Sequence, residues 1–375
     1  MNRFLLFLSV SVLIGCAGNN NSPSIYFAGE IVNPKNDSVV LYKGEERICA
    51  SKLDKNNRFS FLLDDSAAEG LYNFHHKEFQ SVYLEKGDSV LLRVNTDDFD
   101  ESLVFEGIGQ EINNFLIETY LAQEHEERDL VRKFYVLEPN EFGKKIDSLN
   151  VIKTLLLNNL QIEAQMTEKA FAVAKASIDY TSFLYMEKYP FRHRRAVKGG
   201  EKKELPSNYY NFRKHIDYNA NELTYLRPYY NFINYHSNIL SYSNCKNECE
   251  EDYDLYKNKF HFNQHKLFFI DSLVPNTNSL LRDNLARSTA YDYLLRKDSK
   301  ENNDLFMEKF HTLFPDCKHS KEIDKLYASM NSIRPDKPIP NVTVSNFEGR
   351  EVSLGDISKN KDSNNKNCGK FYARI

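Results

Sequence analysis

Tryptophan is absent from this 375-residue chain, and so is any surplus of positive charge. With 49 Lys and Arg against 53 Asp and Glu, the net charge of -4 excludes the broad basic field that a nucleic-acid surface needs. The one basic run, Arg192-His193-Arg194-Arg195 with Lys198, is local, and Lys202-Lys203 sits between Glu201 and Glu204. It reads as a solvated loop. No Gly-x-Ser-x-Gly, P-loop or Gly-x-Gly-x-x-Gly occurs, so hydrolase, nucleotide and dinucleotide chemistry have no motif to rest on. His261-Phe-Asn-Gln-His265 lacks the Glu that a zinc protease uses as general base, and no four-ligand metal set of normal spacing exists. No metal, cofactor or catalytic residue is therefore expected. No fixed repeat period appears, which argues against a solenoid. Long apolar runs are also missing: the one at Phe4–Ile14 is too short to span a bilayer.

That short run has a different meaning. Arg3 precedes it, and Leu13-Ile14-Gly15-Cys16 follows, which resembles the lipobox of bacterial lipoproteins. The resemblance implies cleavage before Cys16, a thioether-linked lipid on its sulfur and acylation of the new amine. Residues 1–15 are then a signal peptide and 16–23 a lipid-anchored tether. Acyl chains contribute about 0.8 kcal/mol per buried CH2, so several hold a protein firmly to a membrane. Ala17, rather than Asp, follows the lipidated position. By the sorting pattern of such proteins it implies the cell envelope, at the outer membrane and facing the periplasm, where a protein partner is available.

From Ser24 to Gly107 the pattern is β. Short runs such as Val39–Tyr42, Phe59–Leu62, Gly70–Phe74 and Val90–Val94 are separated by turn residues at 33–37, 55–57 and 86–89. Eight or so such runs read as an antiparallel β sandwich over 24–107. From 108 to 332 the period becomes three and four. Phe142, Ile146, Leu149, Ile152, Leu156 and Leu160 share one helix face, and Pro139 stands at its start. An earlier helix runs from Ile112 to Arg132. A third runs from Phe171 to Tyr189 and is ended by Pro190. More are expected at 222–240, 253–273, 279–295, 303–314 and 321–332. The fold class is multi-domain α+β, with an all-α middle domain.

Near the C-terminus, Pro340 is followed by Phe347, Gly349, Val352 and Leu354, an alternating run, a turn and a return. This pattern resembles the opening of thioredoxin-like domains of the TlpA and peroxiredoxin type, so 333–359 reads as the start of such a domain. Phe27-x-Gly29-x-Ile31, Phe59-Ser-Phe61, Leu84-Glu-Lys-Gly-Asp-Ser89 and Phe105-x-Gly107 are similar, in that order, to the N-terminal β domain of TlpA-like lipoproteins. Members of that family exchange disulfides through Trp-Cys-x-x-Cys. Here residues 360–375 are a polar tail. Cys368 has Asn365 and Phe371 where a partner cysteine would stand. The expected function is a membrane-anchored lipoprotein of TlpA-like architecture that is redox-inactive. The alternative is a non-enzymatic binding lipoprotein acting through its β and helical domains.

Five cysteines besides Cys16 leave an odd number, so at least one free thiol is expected. Cys245 and Cys249 are four apart, too far for a disulfide on a helix, yet a loop permits one. A disulfide, two thiols, or redox or metal work all remain open for this pair. Glu124-His-Glu-Glu127 and Glu248 with Glu250–Asp252 read as solvated faces. His75 and His76 point to opposite faces of a strand, one to core and one to solvent. The anchor is directly testable. Cys16→Ser is expected to abolish incorporation of labelled fatty acid and leave the chain unprocessed or soluble; label entering the variant would contradict the lipobox reading.

Overall fold

The computed structural model describes residues 24–197, 200, 203–245, 259–274, 279–296, 298–334, 342–345 and 349–353. The signal peptide, the tether with Cys16, Lys198, Cys249, Glu248 with Glu250–Asp252, the helix start after Gly355, and the tail with Cys368 lie outside the described residues. The chain divides into two compact units. One holds residues up to Ile216 together with Glu222–Phe232; the other holds Asp217–Asn221 and residues from Ile233 onward.

The first unit opens with strands β1 (Ile25–Val32), β2 (Ser38–Lys43), β3 (Glu46–Lys52), β4 (Arg58–Leu63), β5 (Gly70–His76), β6 (Glu78–Leu84) and β7 (Ser89–Asn95). A short helix α1 (Phe99–Ser102) and strand β8 (Val104–Ile108) follow. They make two four-stranded sheets, in the orders β4-β1-β7-β8 and β3-β2-β5-β6. The pairing is not wholly antiparallel: β1 runs parallel to β7. Alternation sets which side chains face inward. In β4, Phe59, Phe61 and Leu63 are buried while Leu62 is 72% exposed. The Phe27 ring lies 5.5 Å from Phe59 and 6.1 Å from Phe61 in its own sheet, and 5.8 Å from Phe74 in the other. The two sheets thus share one core. Each fully buried side chain of this kind contributes about 1.5–3 kcal/mol. Two glycines are required by space. A Cβ on Gly29 would stand 2.5 Å from the Leu92 carbonyl oxygen, and one on Gly107, whose φ is +90°, would stand 2.2 Å from that of Ser89. Of the adjacent histidines, His76 is fully buried and His75 half-buried, the division expected of neighbours on a strand.

Helix α2 (Gln110–Asp129) follows β8, then a π turn (Leu130–Phe134), α3 (Pro139–Ala164) and α4 (Glu168–Ala196). Two asparagines at the start of α2 join it to both sheets. Asn113 accepts from the Tyr83 N–H at 2.7 Å and donates to the Tyr83 carbonyl at 2.9 Å. Asn114 does the same with Phe105, at 2.9 and 2.8 Å. Tyr83 lies in β6 and Phe105 in β8, each the edge strand of its sheet. Between α3 and α4, Gln165 takes the left-handed conformation, and the Thr167 hydroxyl accepts from the Ala170 N–H.

Pro190 does not end α4, which continues to Ala196 with the proline inside it. Proline offers no N–H to the carbonyl four residues back. That carbonyl belongs to Met186, and the buried Tyr209 hydroxyl donates to it at 3.0 Å. The basic run at 192–195 is accordingly helical rather than a loop, and His193 is buried, its Nδ1–H donating to the Tyr135 carbonyl at 2.8 Å. The Glu187 carboxylate, fully buried in the same helix, is held by Arg213 through Nε at 3.2 Å and Nη2 at 2.5 Å. The apolar face read for α3 also needs correction. Phe142 and Ile146 are buried as expected, but Ile152 and Leu156 are 56% and 59% exposed. Polar residues face inward instead: Asn150 donates to Asp179 and Ser182, and Lys153 pairs with Glu126 at 2.7 Å.

The second unit contains most of α5 (Arg227–Asn244), then α6 (Lys259–Leu273), α7 (Ser279–Leu294), α8 (Lys300–Leu313) and α9 (Ser320–Ser332). Its core holds Leu267, Leu285 and Phe310, and the Tyr293 and Phe306 rings lie 4.3 Å apart. Arg287 grips Glu322 at 2.9 and 2.7 Å across α7 and α9. Strands β9 (Thr343–Ser345) and β10 (Glu351–Ser353) pair antiparallel, with Gly349 at φ +76° in the turn between them. This is the hairpin read from the sequence. No helix of the described residues is long and apolar enough to cross a membrane.

The Pro190 repair is open to a double-mutant cycle. Tyr209→Phe is expected to destabilise by about 1–3 kcal/mol, because the buried Met186 carbonyl loses its donor. In a Pro190→Ala background the helix supplies its own N–H, so the same change is expected to cost clearly less. Equal costs in urea melts of the two backgrounds would show that the hydroxyl serves another purpose.

Candidate ligand-binding site

In the first unit a cavity of about 370 Å³ opens between α2, α4, the start of β6 and the segment around Arg227. Its walls follow from helix geometry. On α2 the lining residues Asn113, Leu116, Ile117, Tyr120, Gln123, Glu124 and Glu127 step by three and four, and on α4 Ser177, Thr181, Leu184 and Lys188 do the same. Each helix turns one stripe toward the space. Buried Leu71, Phe105, Ile117, Leu184 and Leu226 line it beside the equally buried Asn113, Ser177 and Thr181, while the charged lining residues are Glu78, Asp100, Glu124, Glu127, Lys188 and Arg227.

The carboxylates outnumber the cations, and the cations are engaged. The Arg227 guanidinium lies 5.2 Å from the centre of the Tyr120 ring, whose hydroxyl donates to Glu124 at 3.2 Å. Burial pulls the Lys188 ammonium below its usual range, and Glu127 opposes that shift. Asp100 has no hydrogen-bond or ion-pair partner among the described residues. Burial raises its carboxyl above the ordinary range, as do Glu78, Glu101 and Glu124, while Arg227 works against them. A group that is half-buried, repelled by its neighbours and unpaired is stabilised by any cation that reaches it. A second, more open groove of about 770 Å³ between α3 and α4 differs in this respect: its Lys175 and Asp179 satisfy one another at 2.5 Å.

The residues singled out from the sequence fall elsewhere. Cys245 is buried directly after α5 and is disulfide-bonded; Cys249, the possible partner read from the sequence, lies outside the described residues. Cys49 and Cys317 are free thiols. Burial raises both, and Cys317, which also donates to Asp283, is pushed up to about 11. His261 and His265 are half-buried on α6, and no group of metal-ligating side chains occurs among the described residues. Of the acidic run, Glu124 and Glu127 are exposed at the cavity mouth, but Glu126 is drawn in by Lys153. Sequence reasoning missed Asp100, Tyr120, Lys188 and Arg227. A signal was present in the polar residues that interrupt the inward stripes of α2 and α4.

Comparison with known proteins adds no assignment: no family model, curated protein or solved structure matches the chain.

Thiol reactivity is measurable site by site. Maleimide at pH 7 is expected to modify Cys49 before Cys317 in the folded chain, and Cys317 only on unfolding, as read by peptide mapping. Rapid labelling of native Cys317 would reveal a thiolate that its surroundings disfavour.

Proposed function

We propose that this chain is a lipid-anchored protein of the cell envelope that binds a small organic cation in the α2–α4 cavity. In this reading its likeness to TlpA-type lipoproteins is one of architecture and not of thiol chemistry. The lipobox at Cys16 supports the anchor and, with Ala17, a position at the outer membrane facing the periplasm. The order of the parts supports the architecture: a two-sheet β region read as a sandwich, helices, then the hairpin β9–β10 read as the opening of a thioredoxin-like segment. Disulfide exchange needs a thiol of lowered pKa beside a second one. Among the described residues the free thiols, Cys49 and Cys317, are shifted the opposite way by burial.

The observation that carries the binding reading is the Asp100 carboxylate, without a bonded partner among the described residues, at a cavity that also presents aliphatic side chains. An alkyl amine matches both features: its chain covers Leu184 and Ile117, and its ammonium meets the carboxylates. Calorimetry with spermidine, and with citrate as an anionic control, tests this. Spermidine is expected to bind and citrate not. Asp100→Asn is expected to weaken spermidine about ten- to a hundredfold, since a charge-assisted contact contributes about 1.5–3 kcal/mol. Because the Asp100 carboxyl is raised, it becomes protonated at a higher pH than an ordinary aspartate. Affinity should therefore fall on acidification sooner than a normal carboxylate would allow. Absence of heat with any amine, or equal affinity in the variant, would remove the reading. Reduction of insulin disulfides by the purified chain would instead place it among thiol oxidoreductases.

A further inference from the structure

Helix α3 carries two apolar faces, and the protein uses only one of them. Phe142, Ile146 and Leu157 are buried, at 0%, 1% and 0% exposure. At about 100° per residue, the opposite side carries Ser148, Ile152, Leu155, Asn159 and Ile162, spaced by four, three, four and three. Val151 and Leu156 flank that line. The five aliphatic residues Val151, Ile152, Leu155, Leu156 and Ile162 are 55–77% exposed. A continuous exposed stripe of this size marks an interaction surface.

We propose that α3 pairs, antiparallel, with α3 of a second copy of this chain. The spacing is that of a helix–helix seam, in which residues of one helix fill holes between residues of the other. The cations of the stripe gather at one end and a carboxylate closes the other: exposed Lys144 and Lys145 precede it, with Glu141 and Asp147 around them, and exposed Glu163 follows. Parallel copies would set like charges together at both ends. Antiparallel copies bring Lys145 of each beside Glu163 of the other, along the same edge of the seam, and also oppose the helix dipoles. Glu163 has no ion-pair partner among the described residues, and exposed Lys145, whose ammonium lies 5.1 Å from the centre of the Phe134 ring, exchanges that contact for the carboxylate on pairing. The same alignment sets Ile152 opposite Leu155 and Ser148 opposite Asn159, polar with polar. Area is sufficient: the five side chains offer on the order of 500 Å² per copy, so pairing removes on the order of 1,000 Å², the size at which an interface becomes specific. A lipid surface fits the stripe less well. Membrane-lying helices carry Lys or Arg along their polar edges. Here the neighbours within the stripe are Asn158, Asn159 and Gln161, and Lys153 is already held by Glu126 at 2.7 Å.

Sedimentation of the purified full chain tests the pairing. The chain is expected to be a dimer at micromolar concentration. Leu155→Glu is expected to raise the dissociation constant at least about a hundredfold and give folded monomers with an unchanged circular-dichroism spectrum, because a charge would sit in the seam. Leu62→Glu, at an aliphatic residue 72% exposed on β4, is the control and should leave the dimer intact. Lys145→Glu is expected to weaken it about two- to fivefold at low salt, and Lys145→Glu combined with Glu163→Lys to restore it. The charge exchange alters no apolar residue, so it remains informative if Leu155→Glu folds poorly. A monomeric wild-type chain, whether it binds phospholipid vesicles or covers the stripe with another of its own segments, would overturn the proposal. A dimer that survives Leu155→Glu, or charge reversal without rescue by exchange, would overturn it as well.

Discussion

Two adjacent side-chain amides hold the first unit together at the edges of its two sheets. An edge strand presents backbone N–H and C=O groups with no partner, and a neutral side chain that answers both at once must carry a donor and an acceptor in peptide-like geometry. Asn113 and Asn114 do this on the edge strands of two different sheets, with four hydrogen bonds between 2.7 and 2.9 Å. Successive residues of a helix point about 100° apart, which is what lets one helix start address two sheets. The entry angle of α2 is thereby set, and with it the stripe from Asn113 to Glu127 that walls the cavity. Leu116, Tyr120 and Glu124 occupy their places because the helix that carries them is tied at its first turn.

The same unit shows how polar groups are accommodated among helices. Met186 loses its helical donor to Pro190 and regains one from Tyr209. Glu187 is enclosed with Arg213, whose guanidinium lies 3.8 Å from the centre of the Tyr210 ring. Such buried pairs contribute little net stability over an apolar substitute, yet breaking one leaves an uncompensated charge. Asp100 is the contrast, a carboxylate with repelling neighbours and no bonded partner among the described residues.

Much of the fold was legible in the sequence, because the patterns that announce it are local. Alternation in Phe59-Ser60-Phe61 reports a half-buried strand wherever that strand ends up, and Gly349 between two alternating runs reports a turn. The helices of 110–196 were legible for the same reason, through steps of three and four. Where the reading failed, a distant partner had changed the local rule. Pro190 is a helix breaker until Tyr209, far along the chain, repairs the gap. Ile152 and Leu156 look inward by periodicity, but Asn150 and Lys153 face inward because Asp179, Ser182 and Glu126 receive them.

The candidate site was hardly legible at all. Asp100, Tyr120, Lys188 and Arg227 lie on four separate elements, and nothing in the spacing of one signals the others. By itself the sequence determined where most strands, turns and helices form and which apolar residues they need, since those depend on neighbours a few positions away, whereas Gly29 and Gly107 are required by the remote carbonyls of Leu92 and Ser89. Tertiary structure alone decided that β1 runs parallel to β7, which apolar face of α3 is buried, and which carboxylate is left unpaired beside a cavity. Those outcomes depend on which remote groups meet, and on whether each buried donor, acceptor or charge finds a partner there.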